Sequence, residues 1–495
     1  MTNEVITIAQ MRAIDEATAA SGMPTHSLME NAGRAVANAI IERFSPRPTS
    51  VVCGPGNNGG DGWVAARVLL ERGWPVWVET LAPREQLSGD ARAAAARWTG
   101  EVLPAGSRKF EAQLFVDAMF GAGLSRPLAG EAATYAAMFA ATPDKVVAVD
   151  VPSGLHGDTA KPVGEACARA GLTLTFVRKK LAHVLMPGRS LCGGVVVADI
   201  GAGDEIVAAQ GATIRENDPE CWIAQFPWPA QQTYKHRRGH VFVASGGRAR
   251  TGAARLAARS ALRVGSGLVT VLSPPDAVAE NAAQLTAIML REAADGAALV
   301  EAIGGAAALA IGPAFGVDAS ARAKLEALLA QKERCPLVID ADAITLLSPV
   351  SSGALRAGDV MTPHAGEFER AFPGVLQASA TRVEAARAAA TKAGCVVLLK
   401  GPDTVIAAPD GSAFVNTSGT PFLATAGSGD ALAGLIAGLI GQGMASFAAA
   451  AAGAWVHGRA GEALGPGLIA EDISEILPSV LNALAPDAHK RRPLG

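Results

Sequence analysis

The chain has 495 residues, of which 49% are hydrophobic and 18% charged, with a formal net charge of -3. That length exceeds one ordinary core, so two or three globular domains are expected. Balanced charge, with no basic block interleaved with aromatics, excludes a protein that coats nucleic acid. No basic n-region leads into an apolar h-region, so no signal peptide is expected. The longest apolar stretch near the C-terminal end, 431–440, is about half of the ~20 residues a bilayer span needs. The six cysteines (Cys53, Cys167, Cys192, Cys221, Cys335 and Cys395) are scattered without a Cys-x-x-Cys pair. That pattern suits reduced thiols in a cytoplasmic enzyme with no membrane partner. The basic end His489-Lys490-Arg491-Arg492 reads as a solvated tail.

In chain order, two helices come first. Thr7 with Gln10, and Ser27 with Glu30, each read as a capping box ahead of a periodic apolar run. Short apolar strands are predicted at 51–53, 76–78, 114–116, 146–149 and 172–175, alternating with helical patterns that include 63–72. Continuous apolar strands separated by helices imply a parallel sheet covered on both faces, with ligands at the loops that follow its strands. The pattern lapses between about 204 and 232, where Pro219, Pro227 and Pro229 accompany Trp222 and Trp228. This stretch reads as a connector that packs on one domain through its tryptophans. A second series of strands is predicted at 240–244, 267–271, 308–311, 337–339 and 396–399. The expected fold is therefore α/β with two domains, 1–210 and 233–495, joined by a connector at 211–232. The alanine-rich helix at 448–455 is open to two readings, a subunit interface or the core.

Three glycine-rich or aspartate-bearing loops end strands in the first half. Gly54-Pro55-Gly56-Asn57-Asn58-Gly59-Gly60-Asp61-Gly62 is neither a Walker motif nor an ordered dinucleotide fingerprint, and by itself it says only anion-binding loop. Asp117 opens a second loop that runs through Gly121, Ala122, Gly123, Leu124, Ser125, Arg126 and Pro127. Asp150-Val151-Pro152-Ser153-Gly154 is the third. Either aspartate could be a simple turn former, but three such loops at one sheet edge favour a shared cleft. Asn58, Asp117 and Ser153 offer hard oxygen donors suited to a monovalent or divalent cation.

In the second half, Gly427-Ser428-Gly429-Asp430 precedes an apolar helix. Small residues let backbone N–H groups approach an anion at a helix N-terminus, and the adjacent carboxylate can act as base for a hydroxyl. The bland alternative, Asp430 as an N-cap, loses ground because Lys400-Gly401-Pro402-Asp403-Thr404 follows an apolar strand upstream. Gly246-Gly247 and Thr251-Gly252-Ala253-Ala254 bracket a further turn. Gly312-Pro313-Ala314-Phe315-Gly316 could press on a flat or phosphorylated ligand. Asp340-Ala341-Asp342-Ala343 could orient a magnesium-bound phosphate through water or cap a helix. His364 and Glu367 share a turn. Arg255, Arg259 and Arg263 read as a solvated stripe on one helix face.

The order of these second-half motifs resembles the NAD(P)H-hydrate dehydratases of the ribokinase-like superfamily. The resemblance implies phosphorylation of the C6 hydroxyl of hydrated NADH or NADPH by a nucleotide, ADP in bacterial members and ATP in eukaryotic ones, followed by loss of phosphate. It implies ADP with Mg2+ as co-substrate, nucleotide contacts at Lys400, Gly401, Pro402, Asp403, Thr404 and Gly429, and hydrate contacts at Ala253, Gly316, His364 and Asp430. Ala314 departs from the family, which usually has glycine there, and Ser428 replaces the commoner threonine. The first-half loops resemble the NAD(P)H-hydrate epimerases. This implies K+ held by Asn58, Asp117 and Ser153, and hydrate bound by Asn57, Asn58, Gly59, Gly60, Asp61, the loop from Gly121 to Pro127, and Asp150. Asp150 is the expected acid/base for interconverting the R and S hydrates. Together the halves resemble the bifunctional NAD(P)H-hydrate repair enzymes of bacteria, and a homo-oligomer is expected. A ribokinase-class small-molecule kinase fused to a ligand-binding Rossmann-like module is the rival reading. A non-enzymatic scaffold of the kind that shares the first-half fold in RNA decapping is another.

Overall fold

Thr7 and Gln10 form the expected reciprocal capping box on the helix Ile8–Ala20. The second helix departs from expectation. It spans Thr25–Arg43 with Pro24 at its N-cap and no side-chain cap, because proline already holds φ near the value a helix entry needs. Glu30, expected in a cap with Ser27, instead takes the guanidinium groups of Arg34, Arg67 and Arg97. The computed structural model describes residues 3–108 and 111–490. Arg491 and Arg492 of the basic tail lie outside the described residues, and Lys490 pairs with Asp487 at 2.7 Å. The chain divides into two compact units, Met1–Ile214 and Arg215–Gly495.

In the first unit seven parallel strands lie in the order Val102–Pro104, Val76–Thr80, Thr49–Cys53, Leu114–Ala118, Val146–Val149, Leu172–Phe176 and Gly194–Ala198. Its central strands are buried along their length, as a parallel sheet covered on both faces requires. The helix expected at 63–72 begins six residues earlier, as Asn57–Glu71. Its first turn is built from the asparagine-glycine run itself. Gly59 lies so close to the Gly54 carbonyl that a Cβ would stand 1.9 Å from that oxygen. Only glycine lets the turn close there, and residues of poor helix propensity therefore hide a helical turn.

Among the described residues of the second unit, nine strands lie in the order Met289–Glu292, Leu268–Ser273, His240–Ala244, Ala308–Ile311, Leu337–Ile339, Val360–Met361, Val396–Leu399, Thr404–Ala407 and Ala413–Asn416. All are parallel up to Val396–Leu399; the last two add as an antiparallel hairpin. The helix Ser428–Gly441 crosses the helix Gly252–Arg263 closely, with a Cβ on Gly434 falling 2.0 Å from the Ala257 carbonyl oxygen. The small residues at this crossing seat the helix that carries Asp430. The alanine-rich helix lies within Ser446–Leu464 and buries Ala448 to Ala452 in the core of this unit. Of its two readings, the core is the one observed. Trp222 Nε1 donates to Asn217 Oδ1 at 3.0 Å, and Asn217 Nδ2 donates to Asn416 Oδ1 at 2.8 Å and Ala451 O at 2.7 Å. The stretch read as a connector thus packs into the second unit, with Trp222 in its core and Trp228 against it.

Candidate active sites

In the first unit the strand order reverses between Thr49–Cys53 and Leu114–Ala118, the switch point at which open α/β sheets bind ligands. The loops after these two strands and after Val146–Val149 wall a cavity of about 650 Å³. Asn57, Asn58, Asp61, the residues from Gly121 to Arg126, and Asp150 all line it. Gly59, Gly60 and Pro127 do not; Gly60 packs on Met29, and Pro127 lies against Gly164. The first helix adds Arg12 and Asp15 to the wall, and the stretch after Leu172–Phe176 adds Lys180. None of these three stands in a glycine motif, so sequence reasoning passed over them.

Asp150 sits at φ 66, a left-handed backbone that costs an L-residue about 1–2 kcal/mol. Its Oδ2 accepts from Ala122 N at 2.9 Å. Its Oδ1 accepts from Thr175 Oγ1 at 3.1 Å and faces Lys180 Nζ at 2.9 Å. Burial alone would raise its pKa, but the Lys180 ammonium and the Ala122 amide outweigh it and bring the pKa down to about 2. Two other carboxyls of the same wall go the opposite way. Burial and the Asp150 charge push Asp15 up to about 6 and Asp61 well above the ordinary range. A cavity that holds one carboxylate ionised and a second protonated can both take and give a proton.

Asp117 is fully buried, with Oδ1 accepting from Ser153 Oγ at 2.6 Å and Oδ2 from Ser153 N at 2.8 Å. Burial still raises its pKa to about 6. No cationic side chain pairs with it among the described residues. Asn58 Nδ2 is buried without a hydrogen-bond partner, and Asn58 Oδ1 lies 3.1 Å from where a Cβ on Gly121 would stand.

In the second unit the motifs converge at the C-terminal strand ends. Gly427 takes φ 86 as the N-cap of Ser428–Gly441, which makes Asp430 the third helical residue and not the N-cap. Asp430 caps nothing. Burial, then the Asp340 charge and, more weakly, Asp342 push its pKa up to about 6, with Lys400 opposing. Lys400 Nζ contacts Asp340 Oδ1 at 2.8 Å and Glu367 Oε2 at 3.8 Å, and would lie 3.4 Å from a Cβ on Gly429. A fixed cation thus stands over the amide turn. Asp340 makes no side-chain cap, and its Oδ2 is buried without a partner. Asp342 Oδ2 accepts from Gly316 N at 2.9 Å.

His364 caps the helix Ala365–Ala371 through Nδ1, in a reciprocal box with Glu367. Asp403 turns inward to Arg382 at 3.0 Å, while Arg382 also donates to the Lys400 carbonyl at 2.9 Å. It therefore shapes the loop from Lys400 to Thr404 from behind. Ala253 sits in the first turn of the helix Gly252–Arg263. Ala314 has φ 52, which is the physical reason a glycine suits that position. Ser428 Oγ lies 3.0 Å from His457 Nε2, a half-buried ring that sequence reasoning missed and that desolvation holds neutral, with a pKa of about 4. Of the arginine stripe, Arg259 and Arg263 pair with Glu475.

A parallel α/β unit with a carboxyl beside an amide turn and a lysine above it has the fold of the ribokinase-like class. A ribokinase-like superfamily protein of Enterococcus faecalis V583 matches with a TM-score of 0.50 and 27% identity, covering 55% of this chain and 97% of that one. The family model described as NAD(P)H-hydrate dehydratase matches residues 241–479, and that of the YjeF-related protein N-terminus matches 25–182. The bifunctional NAD(P)H-hydrate repair enzyme Nnr of Moorella thermoacetica is 37% identical over 97% of both chains. That of Thermofilum pendens is 35% identical over 98% of this chain and 97% of its own. The chain belongs to the family of bifunctional NAD(P)H-hydrate repair enzymes. No helix among the described residues is long and apolar enough to cross a membrane.

Proposed function

We propose that the chain repairs hydrated NADH and NADPH, with epimerisation in the first unit and ADP-dependent dehydration in the second. The observation that carries the reading is Asp430, a carboxyl poised near neutral pH beside the amide turn at Gly427 to Gly429 and the Lys400 ammonium. Family membership over nearly the whole chain supports it over a stand-alone small-molecule kinase.

In the first unit, C6 of the hydrate bears both a hydroxyl and the ring nitrogen, so it inverts without C–H cleavage. Asp150 takes the hydroxyl proton, the C6–N1 bond opens with its electron pair going to N1, and N1 gains a proton. Uncharged Asp61 is the group suited to lend that proton. Rotation about C5–C6 and reclosure on the other face reverse these transfers and yield the second epimer. Asn57, Asn58 and the cavity-lining loop from Gly121 to Arg126 hold the rest of the substrate. A potassium ion fits the oxygens of Asn58, Asp117 and Ser153, because the buried Asp117 carboxylate has no cationic partner among the described residues. It would supply positive charge at the loop.

In the second unit, Asp430 takes the C6 hydroxyl proton as that oxygen attacks the terminal phosphorus of ADP and AMP leaves. Backbone amides of the glycine turn and Lys400 hold the transferring phosphoryl, in keeping with a reaction that is mainly positioning and charge stabilisation. Phosphate then departs from C6, C5 loses a proton, and the ring double bond returns. The loop from Lys400 to Thr404 and Gly429 contact the nucleotide; Ala253, Gly316 and His364 contact the hydrate. Magnesium would enter with the nucleotide and supply charge at its phosphates, and the unpartnered Asp340 Oδ2 suits it.

The test is recovery of NADH absorbance from mixed R and S hydrates with ADP, ATP or no nucleotide. Nucleotide-dependent recovery of all the hydrate is expected. No recovery with either nucleotide would refute the reading in favour of a kinase.

A further inference from the structure

The turn that follows the strand Leu172–Phe176 holds a lysine and a histidine that the chemistry above does not use. Lys180 is buried, and its Nζ lies 2.9 Å from Asp150 Oδ1, donates to Thr175 Oγ1 at 2.8 Å and reaches Phe176 O at 3.3 Å. An ammonium has three hydrogens. All three are committed inside the protein, which leaves none for a substrate. Thr175 Oγ1 in turn donates to Asp150 Oδ1 at 3.1 Å.

His183 grips the same residue from its other end. Its Nδ1 accepts the Lys180 backbone N–H at 2.8 Å, which puts the ring hydrogen on Nε2. That Nε2–H donates to the Asp150 carbonyl oxygen at 2.8 Å, and the Asp150 amide donates to Leu174 O at 2.6 Å. Asp150 is thereby tied at carboxylate, carbonyl and amide, which accounts for how it keeps a left-handed backbone. Its two carboxylate oxygens are not equivalent. Oδ1 has the two donors just named, whereas Oδ2 has only Ala122 N and would meet a Cβ on the cavity-lining Gly121 at 3.1 Å.

We infer that Lys180, seconded by Thr175 and His183, is a positioning residue that reserves Asp150 Oδ1 for the protein and leaves Oδ2 as the atom that exchanges a proton with the substrate. The inference rests on the proposed acid/base role of Asp150. Besides Lys180 and His183, the ionisable groups whose charges couple to Asp150 are Asp15, Asp61 and Cys192.

The experiment uses the full chain and measures epimerase kcat, KM and the pH profile of kcat/KM after subtraction of spontaneous epimerisation. The variants are Asp150→Asn, Lys180→Met and Thr175→Val. Lys180→Met is expected to lower kcat about tenfold or more, with little change in KM. Its acid limb should move to higher pH, because burial then acts on Asp150 without its counter-ion. Thr175→Val should move the same limb in the same direction by less. A mere loss of folded protein would lower kcat and leave the limb in place, and that result overturns the inference. So does a raised KM with an unchanged kcat, which would put Lys180 on the substrate. If Lys180→Met does not fold, an unmoved limb in Thr175→Val is the overturning result. Full epimerase activity in Asp150→Asn would instead remove the role of Asp150 itself, a separate failure that the same series identifies.

Discussion

Asp150 closes a strand and Asp430 stands in the first turn of a helix, each near a glycine turn, yet one is held down near a pKa of 2 and the other up near 6. Burial penalises the charge of both. What differs is the address of the nearest lysine. Lys180 sits on Asp150 itself, whereas Lys400 is spent on Asp340 and leaves Asp430 facing two like charges. A carboxyl that titrates near neutrality suits a base whose strength must match an attacking oxygen; one held near 2 stays ionised across the neutral range and is the weaker base of the two. The two sites therefore use one residue type with opposite tuning, and the tuning lies in the counter-ion.

The sharpest way to break this comparison is to cross the two variants. Asp430→Asn should lower the dehydration rate by about 10²–10⁴-fold and leave epimerisation untouched. Asp150→Asn should drop epimerisation to its spontaneous rate while S hydrate is still dehydrated normally. Loss of both activities from either single change would mean that the sites do not act separately.

The pH dependence sharpens the electrostatic part. As the proposed base Asp430 must be ionised, so dehydratase kcat/KM should rise as pH passes about 6. Asp340→Asn removes a negative neighbour and releases Lys400 toward Asp430, so the limb should move to lower pH. A limb that stays in place would show that Lys400 and Asp340 do not set the acidity of Asp430.

Each unit also hides a neutral histidine, His183 and His457, whose pKa burial lowers from the usual 6.5 to about 4. A group depressed in the folded state gives stability that is present above its unfolded pKa and is lost as pH falls through the folded value. Each ring should therefore cost about 3 kcal/mol between pH 6.5 and 4. Asp15, Asp117 and Asp430, raised to about 6, work against that loss by taking up protons in the folded state. Denaturant unfolding across this range should show a flatter acid slope for His457→Gln than for the parent chain. The smallest effect expected is from Gly121→Ala, whose Cβ would press on Asn58 Oδ1 and Asp150 Oδ2 at 3.1 Å. Epimerase kcat/KM should fall about tenfold, with dehydration unchanged.

Much of the framework was legible before the structure. The predicted strands at 146–149, 240–244, 308–311, 337–339 and 396–399 coincide with the observed ones. A continuous apolar run of that length has only one place to go in a doubly covered parallel sheet. Helix starts were less legible. Pro24 set an entry that needed no Ser27, and the asparagine-glycine run from Asn57 hid a helical first turn. In the sites, Lys400 and Asp150 announced themselves because each adjoins a glycine turn at a strand end, and Asp430 because a glycine turn leads through it into an apolar helix. Arg12, Asp15, Lys180 and His457 did not, because each lies on an ordinary helix or short strand and acquires meaning only from what faces it.

Local pattern alone thus determined the two α/β halves, the strand-end loops and the aspartates within them, since apolar runs and glycine turns are properties of neighbouring residues. Which lysine neutralises which aspartate was decided by tertiary structure. Asp340 and Lys400 are 60 residues apart and meet at 2.8 Å only because parallel strands bring their ends to one edge. Charge–charge energies depend on such through-space distances and on burial, and neither is written in the order of residues along the chain.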